Sequence, residues 1–64
     1  MPNKELIKEI AGDLLNQYDP DEACDVAIEI AKLSVEFGDD DRLALWRGVH
    51  SECMMAVLNK PTGE

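Results

Sequence analysis

Residues 21–37, DEACDVAIEIAKLSVEF, decide the fold. Set on a helix at about 100° per residue, Asp21, Asp25, Glu29, Lys32 and Glu36 gather into one narrow polar stripe. Apolar side chains, among them Ala23, Cys24, Ile30, Leu33, Val35 and Phe37, occupy most of the remaining circumference. A helix apolar around more than half its girth requires cover on two sides. The stretch therefore reads as a central helix, and the segments on either side of it read as its cover.

Toward the N-terminus the boundary is Asp19-Pro20-Asp21-Glu22. Asp19 suits the N-cap, Pro20 suits the first helical position where a missing N–H costs nothing, and Glu22 can reach back as in a capping box. Before it, Asn3 can cap a first helix over residues 4–18. There Leu6, Ile7, Ile10, Ala11, Leu14, Leu15 and Tyr18 form a single stripe, the mark of a helix packed on one side. Gly12 falls opposite that stripe, as a tolerated surface glycine. So short a turn between the two helices makes them antiparallel neighbours.

Toward the C-terminus, Gly38 stands where a left-handed residue ends a helix, and Asp39, Asp40 and Asp41 supply a cap and favourable charge for the next one. These acids lack the alternating spacing, mid-loop glycine and distal glutamate of a calcium loop. A third helix over 40–58 follows, with Leu43, Trp46, Val49, His50, Cys53, Met54 and Val57 on one face and Leu45 and Ala56 widening it. Residues 60–64 are expected to fray. The fold class is all-α: one domain of three helices, up-down-up, with a central helix and completion by self-association.

Sixty-four residues lie at the small end of what folds without a metal, disulfides or a partner. Fourteen acids against six bases give a net charge of −8, and such a field repels phosphate. Direct binding to nucleic acid or to anionic lipid is thus disfavoured, and a protein with a basic surface is the favoured partner. No apolar run approaches a membrane span, and MPNKELIKEI has no apolar signal core, so the chain reads as cytoplasmic with its two cysteines reduced. Ser34 and Ser51 have no evident base and orienting acid, there is one histidine, and no glycine-rich loop is available for a phosphate. A non-enzymatic protein without cofactor or metal is the expectation.

Three sets of residues are candidates for binding. Glu5, Glu9 and Asp13 form a column at four-residue spacing on the first helix, and Asp25, Glu29 and Glu36, interrupted by Lys32, form another on the second. Like charges so placed repel by a few tenths of a kcal/mol per pair, about the same as an attractive pair gains. A row of carboxylates can compete for a basic groove, although a merely solvated surface has the same composition. Ala44 and Gly48, with Met55 beside them, offer small side chains for close approach of a second copy in a homo-oligomer. Trp46, Arg47 and His50 are the alternative, a site for a planar or anionic ligand between subunits. A structural subunit of a larger assembly is a further reading. Cys24, His50 and Cys53 can converge across an antiparallel hairpin, but two lone cysteines and a histidine are a poor zinc set. Buried thiols are the plain expectation.

The pattern A-x3-A-x2-I-A-x-L-x4-G-D-x6-W-x2-V runs through Ala23, Ala27, Ile30, Ala31, Leu33, Gly38, Asp39, Trp46 and Val49, and a Pro-x-Gly-Glu tail follows at 61–64. It resembles small all-helical proteins of proteobacteria and their phages and mobile elements, a group without an assigned activity. The resemblance covers residues 23–64 and implies an accessory protein of a phage or genomic island. It carries no functional residues with it, and His50 and the cysteines are not part of it.

Overall fold

The computed structural model describes residues 3–59, and the tail expected to fray lies outside the described residues. The fold is all-α, and the described residues form three helices: α1 (Lys4–Gln17), α2 (Pro20–Phe37) and α3 (Asp40–Leu58). α1 starts where Asn3 turns its side-chain oxygen back to accept from the amides of Glu5 at 2.8 Å and Leu6 at 3.4 Å. α2 starts with Pro20 in its first turn, but the Asp19 side chain makes no capping bond; only its backbone carbonyl receives an amide, that of Ala23 at 2.8 Å. The capping box anticipated here is therefore not formed, and of the expected start signals Pro20 in the first turn remains.

The α2–α3 turn is two residues long and well specified. Gly38 has φ +70° and ψ +24°, a left-handed conformation strained for any residue with a Cβ. Its amide donates to the Val35 carbonyl at 3.1 Å and that of Asp39 to Ser34 at 2.9 Å, the paired bonds of a Schellman motif. Asp39 then caps α3, its Oδ1 accepting from the Arg42 amide at 3.1 Å while Arg42 Nε stands 3.7 Å from Oδ2.

α2 and α3 pack most extensively; α1 lies mainly on α3 and scarcely touches α2. The helix that both others rest on is α3, so α2, although the most apolar, is covered well on one flank only. Gly48 is one reason α1 can settle on α3. A Cβ built at that glycine would lie 2.6 Å from Ile7 Cδ1 and 3.2 Å from its Cγ1. The missing side chain is the space that Ile7 occupies.

The core is small in side-chain volume. Ile7, Ala11, Ala23, Cys24, Ala27, Val49 and Cys53 form one buried cluster, against which Ile10, Leu14, Leu15, Leu45, Trp46 and Val57 pack with part of their surface. Buried Ser34 is satisfied inside its own helix, its Oγ donating to the Ile30 carbonyl at 3.0 Å. Large apolar side chains remain outside: Phe37 is 82% exposed, Val35 59%, Leu33 50% and Leu58 78%.

Candidate functional site

The α2–α3 hairpin divides into two halves of different character. α1 covers the half around Cys24 and Cys53, and no α1 residue lines the half near the turn. There the hairpin carries an open groove of 470 Å³ lined by Ile30, Leu33, Ser34, Phe37, Asp39, Arg42 and Trp46. A shallower one of 290 Å³ is lined by Ile28, Ala31, Lys32, Val35, Leu43 and Arg47. On α2 the two linings stand roughly 180° apart, so they open on opposite flanks of the hairpin. A third depression, of 390 Å³, lies between α1 and α3 at Lys4, Ile7, Lys8, Gly48, Ser51 and Glu52.

Charge does not divide in the same way: the 20 residues 28–47 hold five acids with Lys32, Arg42 and Arg47, a net −2, and the other 37 described residues hold eight acids with Lys4 and Lys8, a net −6. Each of these five bases lines one of the three grooves. The acidic columns line none of them.

Glu5, Glu9, Asp13, Asp25, Glu29 and Glu36 are all exposed. Helical periodicity puts Glu5, Glu9 and Asp13 about 180° from buried Ile7 and Ala11, on the outer side of α1. Among the described residues one of the six carboxylates has a cationic neighbour, Glu29 with Lys32 Nζ at 3.9 Å, and both groups are largely in water.

The residues read as an oligomer contact separate. Gly48 is taken up within the chain, since Ile7 of α1 fills the space over it. Ala44 is half-buried, and Met55 is exposed toward the C-terminal end of α3. The ligand set separates too: Trp46 and Arg47 line grooves on opposite flanks of the hairpin, and half-buried His50 lines neither. Successive helical residues point about 100° apart, which is why adjacent positions in sequence fail to share a pocket.

Cys24 and Cys53 do come together, as two free thiols buried in the same cluster. Burial raises the pKa of Cys24 above its ordinary value of 9.0, with the carboxylates of Asp21 and Asp25 adding to the effect. Burial likewise raises Cys53, helped by Cys24 and Glu52. Both therefore stay protonated near neutral pH, the unreactive form for nucleophilic attack and metal ligation. Among the described residues no three His, Cys, Asp or Glu side chains are grouped so as to hold a metal ion, and no helix is long and apolar enough to cross a membrane.

Ile30, Leu33 and Phe37 are the surface residues that the sequence reading missed, because their periodicity assigned them to covered sides of α2. A length comparison points to them: α1 spans about 21 Å and α2 about 27 Å, so α1 is too short to cover all of the hairpin. No protein-family model, curated protein or solved structure matches the chain.

Proposed function

We propose that this chain is a small non-enzymatic protein-binding module whose acidic helix surface engages the basic surface of another protein. The observation that carries the reading is a set of exposed carboxylates, Glu5, Glu9, Asp13 and Asp25, that have no ion pair among the described residues. Carboxylates left without internal partners are free to attract external ones, and such complementarity raises the rate of encounter and selects for sign of charge. Glu29 and Glu36 extend the surface along α2. The setting implied by the sequence resemblance, an accessory protein of a phage or mobile element acting on a host protein, is consistent with this chemistry. Storage of a small ligand draws less support, since Trp46, Arg47 and His50 do not share a groove.

The test is capture from host lysate at low salt with elution by a salt step, run beside a variant carrying Glu5→Gln, Glu9→Gln, Asp25→Asn and Glu29→Gln. These side chains are exposed, so the variant keeps its helical circular dichroism. Wild type should hold a basic protein that salt releases, and the variant should not. Equal retention by both chains, or no salt-released protein at all, refutes the proposal.

A further inference from the structure

We infer that Cys24 and Cys53 form a dithiol that oxidises to an intramolecular disulfide, a reversible modification that staples α2 to α3 without rearranging them. Register, packing and the isolation of the pair point to it.

Register sets the two thiols level. Cys24 lies fourteen residues before Gly38 and Cys53 fourteen after Asp39, and Gly38 and Asp39 are the whole of the turn. At about 1.5 Å of rise per residue, each cysteine stands about 21 Å from that turn along its own helix. The turn holds this register, because Gly38 and Asp39 close α2 with paired backbone bonds and Asp39 caps α3.

Packing brings the level positions together. Cys24 is 8% exposed and Cys53 fully buried, and both belong to one cluster. The apolar residues that α2 buries beside Cys24 are Ala23, Ala27 and Ala31. Helices that meet through alanine lie near the short end of the usual separation of about 8–10 Å between axes. With Cα atoms about 2.3 Å off each axis, level residues that face each other then have Cα atoms about 4–6 Å apart. A disulfide spans about 4.4–6.8 Å between Cα atoms. Cys24 is also near enough to Cys53 for its charge to help push the Cys53 thiol up.

The pair has little else to react with. The chain has two cysteines in all. Among the described residues no three His, Cys, Asp or Glu side chains are grouped to hold a metal ion, which leaves each thiol the other as its partner.

With hydrogen peroxide as the oxidant the step balances. Cys24, the thiol with an edge in water, attacks as its thiolate; its sulfur takes one peroxide oxygen, the O–O bond breaks, and the departing hydroxide is protonated to water. Cys53 then attacks the sulfenic acid, the S–S bond forms, and the hydroxyl leaves as a second water. The two thiols give up two electrons and two protons, and the peroxide takes them all. Burial keeps both thiols protonated near neutral pH, so the reaction is slow there and answers to sustained exposure. A reducing dithiol reverses it by exchange. The disulfide closes a ring over residues 24–53, and α1 keeps its seat where Ile7 lies over Gly48.

The test treats the reduced full chain with hydrogen peroxide at pH 8, then unfolds it, alkylates it with N-ethylmaleimide and weighs it. The treated chain should be a monomer about 2 Da lighter that takes up no maleimide, whereas the untreated chain takes up two. Its helical circular dichroism should be unchanged, and its Tm should rise by on the order of 10 °C because the ring restricts the unfolded chain. In Cys53→Ala the sulfenic acid on Cys24 has no thiol to meet and should be trapped by dimedone. A wild type that keeps two reactive thiols, or that yields sulfinic acids or linked dimers in place of the ring, overturns the inference. So does a ring that forms only with loss of helix or with a lower Tm, since native thiols that are level and adjacent close without strain. Failure to trap Cys24 in the variant, with wild type closing normally, overturns the order of attack; if the variant does not fold, wild type decides alone.

Discussion

Two glycines in equivalent helical settings should respond to alanine with opposite sign. Gly12 lies on the exposed side of α1, and a Cβ there would meet nothing within 4 Å. Gly12→Ala should therefore gain the full helix-propensity difference, about 1 kcal/mol. Gly48 would gain the same propensity, but its new methyl would stand 2.6 Å from Ile7 Cδ1, 3.2 Å from Cγ1 and 3.4 Å from Cγ2. Cδ1 can turn aside about χ2, but Cγ1 and Cγ2 are fixed by the branch at Cβ, which is stiff at χ1, and Ile7 belongs to the buried cluster with Ala11, Val49 and Cys53. Overpacking of this kind costs about 2 kcal/mol, which leaves a net loss of about 1 kcal/mol after the propensity gain. For a domain of this size each kcal/mol moves Tm by about 4–8 °C. Thermal unfolding followed at 222 nm, at one fixed protein concentration, should thus separate the two variants by roughly 10 °C. Ile7→Val removes Cδ1, the atom in closest conflict, at a cost of about 1 kcal/mol alone. Combined with Gly48→Ala it should come out about 1 kcal/mol more stable than the sum of the single changes. A Gly48→Ala chain that gains as much as Gly12→Ala would show that α1 does not rest on α3 through Ile7.

The caps give a second contrast. Asn3→Ala should cost about 1 kcal/mol because its side chain accepts two amides of the first turn, whereas Asp19→Ala, with no such bond to lose, should cost less than half as much in urea unfolding. Thiol chemistry provides a third. Because burial raises both cysteine pKa values in the folded chain, the native state holds its thiol protons more tightly than the unfolded one. Stability is therefore complete below pH 9 and falls as pH rises from there through the raised values, a loss that Cys24→Ala with Cys53→Ala should flatten in pH-dependent urea titrations. At pH 8 the folded chain should also react with Ellman's reagent only as fast as it opens.

Helix identity was written in the sequence far more fully than helix arrangement. Asn3, Pro20, Gly38 and Asp39 mark element ends through local chemistry, and the observed ends agree within a residue because capping depends on neighbours in the chain. The choice of helix for the middle position is not local. The breadth of apolar residues on α2 indicates that two sides need cover, but it cannot state what covers the second side. α3 shows a comparable signal in Leu45 and Ala56 beside its main face of Trp46, Val49 and Cys53, and this helix is the one that receives both partners. Gly48 shows the same limit at a single residue. Its small size indicates close approach by another backbone, and whether that backbone belongs to α1 or to a second chain is settled only by where Ile7 lies.

Once α1 is placed on α3, the rest of the surface follows from lengths. A 14-residue helix cannot span a hairpin built from helices of 18 and 19 residues, so one end of the hairpin is left without cover. Near Cys24 and Cys53, where α1 provides that cover, the side chains buried in the hairpin are small, although Met54, Met55 and Leu58 stay exposed there. At the bare end Phe37, Leu33 and Val35 are large and exposed. Small residues suit a site where helices approach closely, whereas large ones fill space between surfaces that stand further apart.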